Sequence, residues 1–250
     1  MAKLLRYALY SILSILALLV ILNIGFRGWE KYRSGLIHPE FAAAYPEVMS
    51  QPACERVTFK ARQILENMSQ SRYEHRTKVD EEKGLYELDC SGLVGFILGN
   101  VAPEQLRAIP TNWYAYRPQA ECFQQVFAEA PEEGGKDGWV RVVSLLDARP
   151  GDFIAWSYRG HSIWENTGHI MMVLETPTLE ENSIARVRVM DSSSGKHADD
   201  SRGSGQNGVG TGTMWFTLDK SGAPVAIHWW KKGEARANPD ISIGRVVDTE

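Results

Sequence analysis

The chain has 250 residues, 44% hydrophobic and 10% aromatic, with a formal net charge of −4. That is enough apolar material for one good core once any leader is set aside. The charge is mild and no basic cluster is interleaved with aromatics, which argues against nucleic acid as a partner.

Residues 7–26 carry no charge and are dominated by Leu, Ile, Ala and Val, matching the about 20 residues of a bilayer-spanning helix. A cleaved signal peptide is the competing reading, with a shorter apolar core and a small-x-small cleavage site. No such site directly follows Phe26, so residues 1–28 are expected to form an uncleaved N-terminal transmembrane anchor. Lys3 and Arg6 precede the span, and Arg27, Lys31 and Arg33 follow it, so the positive-inside rule leaves its orientation open. Residues 29–55 read as a juxtamembrane stalk, broken at His38-Pro39 and Tyr45-Pro46. Residues 56–250 read as the folded domain.

Within that domain Val57, Ala61, Ile64, Leu65 and Met68 recur at helical spacing and predict a helix over 55–70. A second helix follows Asp89-Cys90-Ser91-Gly92 and ends near Gly99-Asn100. Residues 100–148 form an insertion punctuated by Pro103, Pro110, Pro118 and Pro131, with a short helix near 120–130. Residues 139–143 suit either a strand or a helix. Runs at 153–158, 169–175 and 185–190 read as sheet strands. Residues 192–213, rich in Ser and Gly, read as a long mobile loop. Residues 213–218 and 225–230 flank Asp219-Lys220-Ser221-Gly222 as a β-hairpin, and 241–246 reads as a final edge strand. No internal repeat is present.

Cys90 is expected at the first turn of its helix, where unpaired N–H groups and the helix dipole stabilise an anion. A thiolate there is a better nucleophile at neutral pH. The alternative is a small buried hydrophobe. His169 opens one predicted strand and Asp191 closes another, so nucleophile, base and orienter arrive in chain order, each at the edge of a regular element. The six histidines and three cysteines include no Cys-x-x-Cys or His-x-x-x-His pair, and Gly203-Ser204-Gly205 is not followed by the Gly-Lys-Ser/Thr of a phosphate loop. Neither a metal nor another cofactor is expected. Cys54 and Cys122 either pair or stay reduced.

The stretches Asp-Cys-Ser-Gly-Leu-Val at 89–94, Arg-Pro-Gly-Asp-Phe-Ile at 149–154, and Gly-His before an apolar run at 168–174 resemble the NlpC/P60 family of papain-like cysteine peptidases. The resemblance covers roughly residues 57–195. It implies an α+β, papain-like fold, with the helix bearing the catalytic cysteine packed on an antiparallel sheet that carries the histidine. It further implies hydrolysis of amide bonds in peptidoglycan stem peptides, and so a domain on the outer side of the bacterial cytoplasmic membrane. The chain departs from the family in three places. Tyr73-Glu74-His75 stands where an aromatic-Gly-Gly stretch is usual, the interval from Cys90 to His169 is longer, and Asp191 fills the third polar position.

On that basis Cys90 is the expected nucleophile, His169 the base, with His161 as its rival, and Asp191 the orienter, with Ser192 and Ser193 in reserve. Tyr73, Asp89, Ser91 and His161 are candidates for contacts to substrate or oxyanion. Asp89 also suits a helix cap. Two other functions remain open: acyl or amine transfer on the same fold, and a catalytically idle module that binds wall peptides.

Overall fold

A computed structural model describes residues 14–15, 37–112, 115–158, 168–180, 183–231, 236–237 and 239–249. The chain divides into two units, Met1–Ile37 and His38–Glu250. In the first, Ser14 and Ile15 are helical, and the remainder apart from Ile37 lies outside the described residues. Nearly all of the expected anchor at 1–28 therefore falls there.

The second unit opens with two short helices, α1 (Pro39–Ala44) and α2 (Pro46–Met49). Each starts on proline, whose missing N–H would have no intrahelical partner at that position anyway. Phe41 is buried, and His38 N donates to Gly99 O at 3.0 Å. α3 (Ala53–Asn67) buries Val57, Ala61 and Ile64, the face its periodicity predicts. Three short strands follow, β1 (Gln70–Arg72), β2 (Lys78–Asp80) and β3 (Leu85–Glu87), forming a small sheet in the order β1-β3-β2. Then come α4 (Cys90–Val101), buried along its whole length, α5 (Pro103–Ala108) and α6 (Ala120–Glu129).

The rest is mostly sheet: β4 (Trp139–Val142), β5 (Phe153–Tyr158), β6 (Gly168–Val173), β7 (Thr178–Leu179), β8 (Ile184–Ser193), β9 (Gly208–Leu218), β10 (Pro224–His228), β11 (Arg236–Ala237) and β12 (Pro239–Val246). They form one nine-stranded sheet in the order β11-β10-β9-β8-β6-β5-β12-β4, with β7 on β8, and every pairing is antiparallel. Ile154, Trp156, Met171, Val187, Val189, Met214, Phe216 and Ile243 belong to one apolar cluster. β10 also approaches β12, so the sheet curls around that cluster. α6 packs on β5 and β12, and α4 on β6 and β8. β6 is accordingly buried at all of its residues.

Three expectations are corrected. Among the described residues the fold is a mixed α and β organisation built on one large antiparallel sheet, with no membrane-spanning helix among its elements. Among the described residues no helix is long and apolar enough to cross a membrane. α3, at 15 residues, carries Glu55, Arg56, Lys60, Arg62 and Glu66, and is shorter than the about 20 apolar residues a bilayer requires. The strand at 239–246 is not an edge: β12 is paired on both sides, by β5 and β4. The expected loop at 192–213 is shortened from both ends, because β8 runs on to Ser193 and β9 begins at Gly208.

The Pro-Gly-Asp turn has a structural use. Asp152 is fully buried and accepts from Arg149 N at 2.9 Å, and from Arg245 Nε and Nη2 at 2.9 and 2.8 Å. This bidentate pair joins the start of β5 to β12. Removing one partner of a buried pair strands the other charge. Asp152→Ala is expected to cost about 3 kcal/mol, or roughly 6–12 °C in Tm. Thermal unfolding checks it, and an unchanged Tm contradicts it.

Candidate active site

Asp89 caps α4. Its Oδ1 accepts from Gly92 N at 2.8 Å and from Ser91 Oγ at 3.3 Å. Oδ2 meets Arg117 Nη2 at 2.5 Å and His75 Nδ1 at 3.3 Å. Burial alone would raise this carboxyl, but His75, Arg117 and the Gly92 N–H together hold it below the usual range. His75 is raised in turn, chiefly by its bond to Asp89. Asp89 and Ser91 thus have structural partners: Ser91 Oγ also accepts from Arg117 Nη1 at 2.5 Å. Arg117, buried in the 100–148 insertion, escaped the sequence reading because nothing beside Pro118 marks it as reaching α4.

The cap leaves Cys90 as the first residue of the helix, 6% exposed. Among the described residues Cys90 N has no hydrogen-bond acceptor, as befits a first-turn N–H. One further bond sets the position of this helix start: Ser192 Oγ donates to Leu88 O at 2.6 Å. Ser192 therefore ties β8 to the residue before Asp89 and does not orient the histidine.

His169 lies on β6, opposite Trp156 of β5. Gly168 precedes it at φ 149°, where a Cβ would sit 1.9 Å from Trp156 O. Only glycine allows so close an approach. β8 pairs with β6 through Met172↔Met190 and Val173↔Val189, and carrying that register along puts His169 and Asp191 on one face. His169 Nε2 and Asp191 Oδ2 are 2.6 Å apart. Asp191 accepts, so Nε2 carries the proton and Nδ1 is the nitrogen left for the Cys90 sulfur. Burial disfavours the imidazolium, but the Cys90 charge, Asp191 and a hydrogen bond with the thiol outweigh it and push His169 up to about 10. Asp191 has no exposed side-chain surface. Burial would raise it, yet His197 and His169 hold it well below the usual range.

Two further donors, neither of them singled out by local sequence, hold Asp191. His197 Nε2 donates to the same Oδ2 at 2.7 Å, and Arg202 Nη2 to Oδ1 at 3.1 Å. Both belong to the segment between β8 and β9, which is hydrogen-bonded to β9. Thr213 N donates to Ala198 O at 2.7 Å, and Ser201 N to Thr211 O at 2.8 Å. These bonds lie along the part of β9 that its pairing with β10 leaves uncovered. Its side chains lie over glycine: a Cβ on Gly212 would stand 2.5 Å from His197 Cβ, and one on Gly210 2.7 Å from Arg202 Cγ. The alternation Gly208-x-Gly210-x-Gly212 is thus a strand with one face kept bare for a covering segment. It was the sequence signal that could have found them.

Tyr73, just after β1, lies within electrostatic reach of Cys90, Asp89 and Asp191. Burial, then those negative charges, raise its phenol, which stays protonated as a donor. Tyr73 N is bound to Asn207 Oδ1 at 3.0 Å. His161, the rival base, lies outside the described residues. Cys54 and Cys122 are both free thiols. Among the described residues no group of His, Cys, Asp or Glu is arranged to hold a metal. Around Asp191 both imidazole nitrogens donate to one oxygen, so their lone pairs do not converge.

The structure thus brings Cys90, His169 and Asp191 together, with Tyr73 beside them. A thiol against an imidazole whose far nitrogen is fixed on a buried carboxylate is the arrangement that makes a sulfur nucleophile. No family model matches the chain and no solved structure matches it. The chain is similar to an uncharacterized protein of Acanthamoeba polyphaga mimivirus, 28% identical over 160 residues, which cover 56% of this chain and 67% of that protein.

Proposed function

We propose that the protein is a cysteine hydrolase that cleaves amide bonds, with peptidoglycan stem peptides as substrate. The observation that carries the reaction type is His169, bound through Nε2 to the buried Asp191 carboxylate at 2.6 Å, with Cys90 near enough for its charge to raise the imidazole. The substrate class rests on the NlpC/P60 resemblance of residues 89–94, 149–154 and 168–174. That substrate puts the domain outside the cytoplasmic membrane.

The Cys90 thiolate attacks the carbonyl carbon. The Cys90 N–H at the helix start, assisted by the Tyr73 phenol, donates to the oxyanion. The His169 imidazolium protonates the leaving amine as the C–N bond breaks, which leaves a thioester on Cys90. Neutral His169 then takes a proton from water, whose oxygen attacks the thioester and expels the Cys90 thiolate, which releases the acid and restores the thiolate beside the His169 imidazolium. Asp191 holds the ring in one tautomer throughout.

Wild-type protein is expected to cleave stem-peptide fragments, and Cys90→Ala to lose more than about 1,000-fold of that turnover. Mass spectrometry of the products, with and without an added amine, separates hydrolysis from transfer. Cleavage surviving in Cys90→Ala overturns the reading, and an amine adduct as the main product reassigns it to transfer.

A further inference from the structure

We propose that His197 is a positioning residue for the Cys90–His169 pair: its N–H fixes the Asp191 carboxylate in the orientation that keeps His169 turned toward the sulfur. The inference rests on the reading of Cys90 as nucleophile and adds a residue that the triad logic does not require.

Three observations carry it. First, Asp191 Oδ2 is shared by two imidazoles, at 2.6 Å from His169 and 2.7 Å from His197. Without His197, that oxygen loses one of two donors. The carboxylate is then held only by His169 at Oδ2 and by the longer 3.1 Å bond from Arg202 at Oδ1.

Second, the site of His197 is built to hold this ring. The side chain has no exposed surface. The ring is stacked on Trp229, with centroids 4.9 Å apart and planes 12° apart. His197 N donates to Asp200 Oδ2 at 2.7 Å, and Gly212 leaves the room beneath it. Asp200 is itself locked by Arg202, through Nε at 2.8 Å and Nη2 at 2.7 Å.

Third, His197 Nδ1 is buried and has no partner among the described residues. An imidazole kept only for packing would be better replaced by an apolar ring, because a buried unpaired nitrogen is unfavourable. What the imidazole adds over such a ring is the single Nε2–H, and that hydrogen points at Asp191. The charged or titratable groups facing it are Asp191 from β8, Asp200 and Arg202 from its own segment, and His169 from β6 beyond Asp191. Trp229 and Gly212 complete the wall. Arg202 is a poor substitute donor, since it is already committed to Asp200 and to Gly208 O at 2.8 Å.

The test is the pH profile of Cys90 alkylation by iodoacetamide, read on the Cys90 peptide by mass spectrometry in the full chain, with near-ultraviolet circular dichroism as the folding control. His197→Phe keeps the ring and the stack without the donor. His197→Gln and His197→Met have similar length, and only glutamine has an N–H. At about pH 6, His197→Phe and His197→Met are expected to react roughly ten-fold more slowly than wild type, with the profile displaced upward. His197→Gln is expected to recover to within about three-fold. If His197→Phe does not fold, the Gln and Met pair decides. A wild-type profile in His197→Met overturns the proposal, and so does equal impairment of Gln and Met, which would assign His197 to packing alone. His169→Ala is run alongside. If wild-type alkylation is indifferent to His169, the nucleophile reading fails. If it depends on His169 but not on His197, only the present inference fails.

Discussion

Asp191→Asn is expected to lower turnover by about 10,000-fold, the scale of removing the carboxylate from a nucleophile–imidazole–carboxylate triad. The substitution is nearly isosteric, so the loss comes from hydrogen bonding. Asp191 is surrounded by donors on both oxygens: His169 and His197 at Oδ2, and Arg202 at Oδ1. An amide nitrogen placed on either side faces an N–H. The His169 ring then releases Nε2 or turns over, and its Nδ1 no longer meets Cys90.

Stability falls as well. Breaking a buried pair by removing one charge costs about 3–5 kcal/mol, softened here because Arg202 keeps Asp200. The sign with pH follows from the carboxyl being held below its ordinary 3.8. Its contribution is fully present above that unfolded value and is lost only as pH falls through the depressed folded one. The stability gap between wild type and Asp191→Asn is therefore expected to hold from about pH 7 down to about pH 4 and to narrow below it. Chemical denaturation at several pH values reads it. A gap that already closes between about pH 6 and pH 5 would show that Asp191 is not the ionised hub.

The same carboxylate marks the limit of what the residues alone could tell. Asp89-Cys90-Ser91-Gly92 before an apolar run encodes a capped helix, and that run is α4. The alternation of Val187 and Val189 toward Asp191 encodes a strand face, and the 3.6 period of α3 encodes its buried side. Each of these signals is local. β1, β2 and β3 have three residues each, too short for a period-2 pattern to stand out. They are held by remote partners: Ser71 Oγ accepts from Val209 N at 2.7 Å and donates to Tyr86 O at 3.0 Å. His197 and Arg202 lie in a Ser/Gly-rich stretch that reads as flexible because composition reports backbone freedom. The order there comes from contacts with β9 and with Asp191. Arg117 is legible only once its loop is folded over α4. The residues proposed for the chemistry are thus each marked by a local signal, whereas the donors around Asp191 are marked only indirectly, by the bare glycine face of β9.

Cys90→Ala is expected to move the titration of His169 down from about 10 by more than about one pH unit. In the wild type, burial pulls the imidazolium down, and the sulfur charge is first among the influences that push it back up, ahead of Asp191. Removing the sulfur leaves burial opposed by Asp191 alone, so the direction is downward. The functional corollary has a definite sign. A ring that keeps its proton up to about pH 10 is already the acid needed by the leaving amine, so the alkaline limb of kcat/KM is expected where His169 loses that proton. On the reactive side, His169→Ala removes the imidazole proposed to activate Cys90 and is expected to slow Cys90 alkylation at about pH 6 by roughly 100-fold. Ring-proton NMR follows the first effect and alkylation the second. A His169 that titrates unchanged without the sulfur would mean that the two groups do not form an ion pair. Cys90 would then be a buried thiol beside a histidine that belongs to Asp191 alone.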